Sequence, residues 1–167
     1  YKKSFFFREN QKNHVWQKNR ELFELCGKTV VTVGCGSVGS ECARRYKALG
    51  CRVLGVDLYP TENELYEKIY PLSVLPSILS VSDTVILTLP LTDETRGLFD
   101  GEMLSHMKNT AVLINISRGA VVDEDALTAA LSEKKLYGAV LDVFESEPLS
   151  QDSPLWDMEN VVITPHN

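Results

Sequence analysis

Four apolar runs, almost unbroken and each only a few residues long, decide what this chain folds into. Thr29 to Val33 ends on Gly34, Val53 to Val56 on Asp57, Thr84 to Leu89 on Pro90, and Ala111 to Ile116 on Ser117-Arg118-Gly119. Such runs read as strands buried on both faces. Tyr137 to Leu141 and Val161 to Thr164 add two more strands. Helical stretches lie between them. Val38, Cys42, Tyr46 and Leu49 recur at helical spacing until Gly50, and Leu72 to Leu79, Gly101 to Met107 and Asp123 to Leu131 follow, with Asp123 placed as an N-cap ahead of Glu124 and Asp125. Strands separated this way join by right-handed crossovers. The expected fold class is α/β, a doubly wound parallel sheet with helices on both faces.

A chain of 167 residues, 44% apolar and 24% charged, supplies one soluble-type core and room for a small extension. The expected division is a helical extension over residues 1–27 and a single α/β domain over 28–167. The first 20 residues carry six Lys/Arg against Glu9 alone, within a net charge of −6. Phe5, Phe6, Phe7, Val15 and Trp16 interleave those charges, so the stretch reads as a solvated amphipathic helix rather than a nucleic-acid arm. No apolar run approaches the roughly 20 residues of a membrane span, and no signal peptide of ordinary form is visible. Cys26, Cys35, Cys42 and Cys51 form no CxxC pair and have no histidine at ligand spacing, so no metal is expected. They fit reduced thiols, which makes the cytoplasm the expected compartment.

Gly34-Cys35-Gly36-Ser37-Val38-Gly39 follows the first strand and opens the first helix. Gly34 permits the tight turn, Gly36 lets backbone approach a pyrophosphate, Gly39 lets helix and strand pack closely, and the helix N-terminus offers N–H donors to the anion. Asp57 closes the second strand 18 residues after Gly39, where a carboxylate accepts from a ribose diol and repels a 2′-phosphate. Leu58-Tyr59-Pro60 brings no arginine to hold that phosphate, so NAD is expected in preference to NADP. The glycine loop, Asp57, Pro90, Ser117-Arg118, Asp142 and His166 all fall at the carboxyl ends of expected strands, the edge where open α/β sheets bind ligands.

Leu89-Pro90-Leu91-Thr92, Asn115-Ile116-Ser117-Arg118-Gly119, Leu141-Asp142-Val143-Phe144-Glu145-Ser146-Glu147-Pro148 and Thr164-Pro165-His166 resemble, in order and spacing, the motifs of the D-isomer-specific 2-hydroxyacid dehydrogenases. The resemblance runs from about Trp16 to His166 and implies a Rossmann-type cofactor domain. It implies that Arg118 binds the substrate's carboxylate and carbonyl, that His166 is the acid/base and that Glu147 pairs with it. It also implies that Ser37, Val38, Asp57, Leu89, Pro90, Thr95, Ile116, Ser117, Arg118 and Asp142 line the cofactor, Asp142 near the nicotinamide amide. The partner so implied is a small 2-keto or 2-hydroxy acid, and homodimerisation through the cofactor domain is expected, helped by the aromatic N-terminal stretch.

The residue types suit the chemistry. Arginine offers a permanently charged fork for a carboxylate. Histidine exchanges a proton near neutral pH, and a carboxylate beside an imidazole favours its charged form and fixes its orientation. The ordinary alternatives are a surface arginine at 118, a solvated loop acid at 147 with Glu145 as its neighbour, and an idle His166; His14 and His106 read as solvated helix residues. Full-length members of the family carry a second, discontinuous substrate domain, so the chain is expected to be the cofactor-binding part of a larger dehydrogenase, inactive alone. A rival from another class is an NAD-dependent, non-catalytic corepressor-like protein; a formate-dehydrogenase-like enzyme would place an amide where Glu147 stands.

Overall fold

Seven parallel strands form one sheet in the computed structural model, which describes residues 4–19 and 23–167. They are β1 (Thr29–Val33), β2 (Arg52–Asp57), β3 (Lys68–Pro71), β4 (Thr84–Leu87), β5 (Val112–Asn115), β6 (Gly138–Leu141) and β7 (Val161–Ile163). Their order across the sheet is β3-β2-β1-β4-β5-β6-β7. The chain reverses its direction of travel between β1 and β4, so the crevice between their carboxyl ends is the switch point at which such sheets take ligands. The doubly wound α/β fold expected from the apolar runs is the fold observed.

Among the described residues the helices are α1 (Ser4–Lys12), in the N-terminal stretch, and α2 (Ser37–Ala48), α3 (Leu75–Leu79), α4 (Gly101–Ser105) and α5 (Glu124–Ser132), which cover the sheet. Side chains alternate along β1, so Val30 joins Val53, Ile86 and Ala43 of α2 on one face. Val31 and Val33 join Leu75, Leu79, Leu104, Leu127 and Leu131 of α3 to α5 on the other. Caps fix where the helices begin. The Asp123 carboxylate accepts from Ala126 N at 2.9 Å, as its position before the acidic first turn led one to expect, and Asp100 does the same for Met103 N at 2.8 Å.

Three expectations are corrected. β3 was not foreseen. The expected helix over Leu72 to Leu79 opens as a 3-10 turn at Leu72–Val74, and α3 begins only at Leu75, with Pro76 in its first turn where a missing N–H costs nothing. β5 is fully buried on one face only: half-buried Val112 and Ile114 alternate with buried Leu113 and Asn115, since α2 packs chiefly over β1 and β2. In the expected N-terminal extension, helix covers Ser4–Lys12 and residues 13–19 run on without regular structure; part of that extension lies outside the described residues.

Candidate cofactor and acid–base site

Gly34 leaves β1 with φ +99°, a left-handed conformation that side chains disfavour, and a Cβ there would meet the Thr88 carbonyl carbon at 2.8 Å. Thr88 at the end of β4 donates its hydroxyl to the Gly34 carbonyl at 2.7 Å, closing the loop from below. Gly39 packs so closely that a Cβ would stand 2.1 Å from the Gly34 oxygen, whereas the side of Gly36 is open, with nothing within 4 Å. Gly36 caps α2 without a side-chain hydrogen bond, and Ser37 and Val38 are exposed in the first turn. Close packing behind the loop and free backbone in front make a cradle that fits a pyrophosphate at a helix N-terminus.

Asp57 stands at the end of β2 and holds the loop. One carboxylate oxygen accepts from Cys35 N at 2.7 Å and the other from Tyr59 N at 3.0 Å. An ionised carboxylate has about four acceptor positions, so capacity remains for a ribose diol. Leu58, Tyr59 and Pro60 beside it are exposed and uncharged. These residues fit the adenosine end of a dinucleotide.

Leu89 is buried and Pro90 exposed on the loop after β4. Thr95, which the resemblance put in the cofactor lining, is fully buried: its hydroxyl donates to Pro90 O at 2.7 Å and accepts from Thr92 N at 2.8 Å. It shapes the loop from inside. Asn115 acts similarly after β5 and is a residue the sequence reading passed over as part of a motif. Its buried side chain accepts from Ser117 N at 3.1 Å and Ser117 Oγ at 2.7 Å, and its amide donates to Arg118 O at 3.2 Å. An amide at the end of an apolar run was the available signal. This knot buries Ser117, leaves Ile116 half-buried and presents Arg118 to solvent.

The carboxyl ends of β6 and β7 bring Glu147 and His166 together. His166 Nδ1 and Glu147 Oε2 lie 2.7 Å apart, and the second Glu147 oxygen accepts from Phe144 N at 3.0 Å. The hydrogen bond to His166, then that from Phe144, holds the Glu147 carboxyl below its ordinary range, and the Arg118 charge acts in the same direction. Arg118 therefore shares the electrostatic neighbourhood of the pair. Glu145 does not meet the histidine; its N–H points to Glu124 Oε2 at 3.4 Å. Asp142 accepts from the Thr164 hydroxyl, which joins the two strand ends two residues before His166. His14 follows α1, and His106 is the C-cap of α4. Among the described residues no group of three His, Cys, Asp or Glu side chains is placed to hold a metal ion.

A parallel sheet with an open glycine cradle at its switch point and an acid at the end of its second strand defines a dinucleotide-binding Rossmann domain. Residues 1–167 match the sequence profile of the D-isomer specific 2-hydroxyacid dehydrogenase, NAD binding domain. The chain belongs to that family, as its NAD-binding domain. It is 42% identical over 164 residues to a glyoxylate reductase of Korarchaeum cryptofilum, an alignment covering 96% of this chain and 49% of that protein. It is 38% identical over 152 residues to a D-3-phosphoglycerate dehydrogenase of Archaeoglobus fulgidus, covering 90% of this chain and 29% of that one. The crystal structure of a family protein from Aeromonas salmonicida superposes with a TM-score of 0.93 at 41% identity, covering 98% of this chain and 53% of that one. A probable 2-hydroxyacid dehydrogenase from Rhizobium etli, solved with NADP, HEPES and tartaric acid, gives 0.90 at 34% identity, covering 98% and 52%. The chain thus spans about half or less of the length of these relatives.

Proposed function

We propose that the chain is the cofactor half of an NAD(H)-dependent dehydrogenase that interconverts small 2-keto and 2-hydroxy acids. The observation that carries this is the 2.7 Å contact between His166 and Glu147, on the same sheet edge as Arg118 and the glycine cradle. When bound, the nicotinamide supplies or accepts the hydride at the substrate's second carbon. Arg118 holds the substrate carboxylate and carbonyl by charge and by its planar fork. His166 gives a proton to the developing alkoxide in reduction and takes it back in oxidation, through the ring nitrogen that does not face Glu147. Glu147 holds the ring by its other nitrogen and favours the charged form. Asp142, steadied by Thr164, is left with a second oxygen for the nicotinamide amide. The glycine loop with Ser37, Val38 and Asp57 takes the pyrophosphate and ribose, and Leu89, Pro90, Ile116 and Ser117 line the path between. Four cysteines, all free, support action in the reducing cytoplasm.

The pH profile of keto-acid reduction tests the pair. His166 acts as an acid only while its ring carries the proton. Glu147→Gln removes the negative charge that favours the protonated ring, and the alkaline limb moves to lower pH. A profile identical to that of the unaltered enzyme would overturn the pairing.

Asp57 supports NAD over NADP, although the Rhizobium etli relative was solved with NADP. Titration is expected to give tighter binding of NADH than of NADPH, and Asp57→Ala is expected to narrow the gap. Equal or tighter NADPH binding by the unaltered protein would sink the preference.

We also propose that a second copy covers the N-terminal arm. Val15 N donates to Asn10 O at 2.8 Å and folds the chain back beside α1, yet Trp16 remains 96% exposed and Phe7 and Val15 are exposed beside it. An apolar arm of this kind suits the self-complementary contact of a two-fold dimer. Sedimentation at tens of micromolar, a range chosen for a contact of roughly micromolar strength, is expected to show dimer, and monomer alone would refute it.

A further inference from the structure

The amino end of the sheet, opposite the cofactor crevice, brings two thiols together. Cys26 is exposed in the turn before β1, and Cys51 is buried in the residue before β2. Pairing of the two strands starts at Thr29 opposite Arg52 and persists beyond their ends, with Gly27 N donating to Gly50 O and Arg52 N to Lys28 O, both at 2.9 Å. The turn closes through Lys28 N to Leu25 O at 3.0 Å, which doubles the chain back over the start of β2. As a result the Cys51 thiol donates to Leu25 O at 3.2 Å. Gly50, at φ +78°, leaves its side open, and the Cys26 sulfur fills that space: a Cβ on Gly50 would lie 2.9 Å from it. The Cys26 side chain thus rests on the residue adjoining Cys51, and Cys51 packs on the residue adjoining Cys26.

We propose that Cys26 and Cys51 form a reversible thiol–disulfide pair, oxidised by peroxide through sulfenic acid at Cys26 and closed by Cys51. A Cβ on Gly50 would also lie 3.8 Å from the Cys26 Cα, which sets Cys26 beside the neighbour of Cys51; movement of the exposed turn, not of the sheet, then brings the pair to the Cα separation of roughly 4.4–6.8 Å that a disulfide spans. Exposure makes Cys26 the first sulfur to meet an oxidant. Cys51 is shielded, and burial, then Cys26 beside it, pushes its thiol up, so it does not initiate; its place against the Cys26 turn, with its thiol on Leu25 O, is what suits it to close the bond. The Cys26 sulfur takes one oxygen from hydrogen peroxide, giving sulfenic acid and one water. The Cys51 sulfur then displaces that oxygen as a second water, its own proton leaving with it, and the S–S bond forms. Two electrons pass from the thiols to the peroxide, and a low-molecular-weight thiol restores both groups by exchange. The bond pins the turn through which the N-terminal arm joins the sheet to the step between α2 and β2. Cys35, whose sulfur faces Thr32 and Val56 O beneath the glycine loop, takes no part.

Peptide mapping of the whole protein after limiting hydrogen peroxide tests this, together with Cys51→Ala probed by the sulfenic-acid reagent dimedone. The expected result is a Cys26–Cys51 cross-link that dithiothreitol removes, with Cys35 and Cys42 still alkylated, and many-fold more dimedone adduct at Cys26 in Cys51→Ala than in the unaltered protein. Oxidation of Cys26 to sulfinic acid without a cross-link, a cross-link to another cysteine, or equal adduct in the two proteins would overturn the pair.

Discussion

Replacing His166 by glutamine, in the protein that carries the complete substrate site, is expected to lower kcat for keto-acid reduction by on the order of 10²- to 10⁴-fold while NADH binding changes little. Glutamine keeps a hydrogen-bonding side chain beside Glu147 but has no proton to give at neutral pH. The dinucleotide cradle lies at the ends of β1, β2 and β4, and His166 follows β7 at the far side of the sheet, so chemistry and cofactor affinity are expected to separate. Steady-state kinetics with NADH titration checks this, and a kcat within a few-fold of the unaltered enzyme would remove His166 from the reaction.

Gly119→Ala is expected to be the most damaging single methyl group in the domain. A Cβ at that position would lie 1.8 Å from the Phe144 carbonyl carbon, 2.0 Å from its oxygen and 2.3 Å from Glu145 N. All three are backbone atoms, so no side-chain rotation relieves the clash. Either the turn bearing Arg118 or the loop bearing Glu147 must move, which links a packing defect directly to the site. The expected loss is about 4 kcal/mol or more, at the extreme of single substitutions, read as a fall in the urea midpoint and in keto-acid turnover together. An unchanged midpoint would mean that the two loops do not pack as described.

Much of this fold is legible because a parallel sheet writes itself as apolar runs. β1 coincides with Thr29 to Val33 as read, and α2 gives way at Gly50 as its left-handed φ of +78° allows. β3 escaped because an edge strand needs no such run: Lys68 and Pro71 are exposed, Ile69 and Tyr70 half-buried, and the closing proline is tolerated only at an edge. The one-sided burial of β5 escaped for a related reason, since Val112 and Ile114 are as apolar as strand residues covered on both faces. At the site, local order was enough to suggest the glycine loop and Asp57, and the ordered motifs of the family resemblance pointed to Arg118, Glu147 and His166. Contacts between residues far apart in sequence were not available to either. Thr88 supports Gly34 across 54 positions and Thr164 steadies Asp142 across 22, and neither hydroxyl stands out until the sheet places its strands. Thr95 shows the opposite case, a motif residue whose hydroxyl is wholly engaged in shaping its own loop.

The central claim is that this domain serves hydride transfer to a 2-keto acid. It is tested most directly by following NADH oxidation by the full-length protein on addition of 2-keto acids, glyoxylate first, which the name of the Korarchaeum cryptofilum relative suggests. The account predicts one NADH consumed per keto acid, formation of the matching 2-hydroxy acid, and loss of that turnover in Arg118→Ala. NADH that binds but is not oxidised with any 2-keto acid offered would contradict it and leave a cofactor-sensing protein in its place.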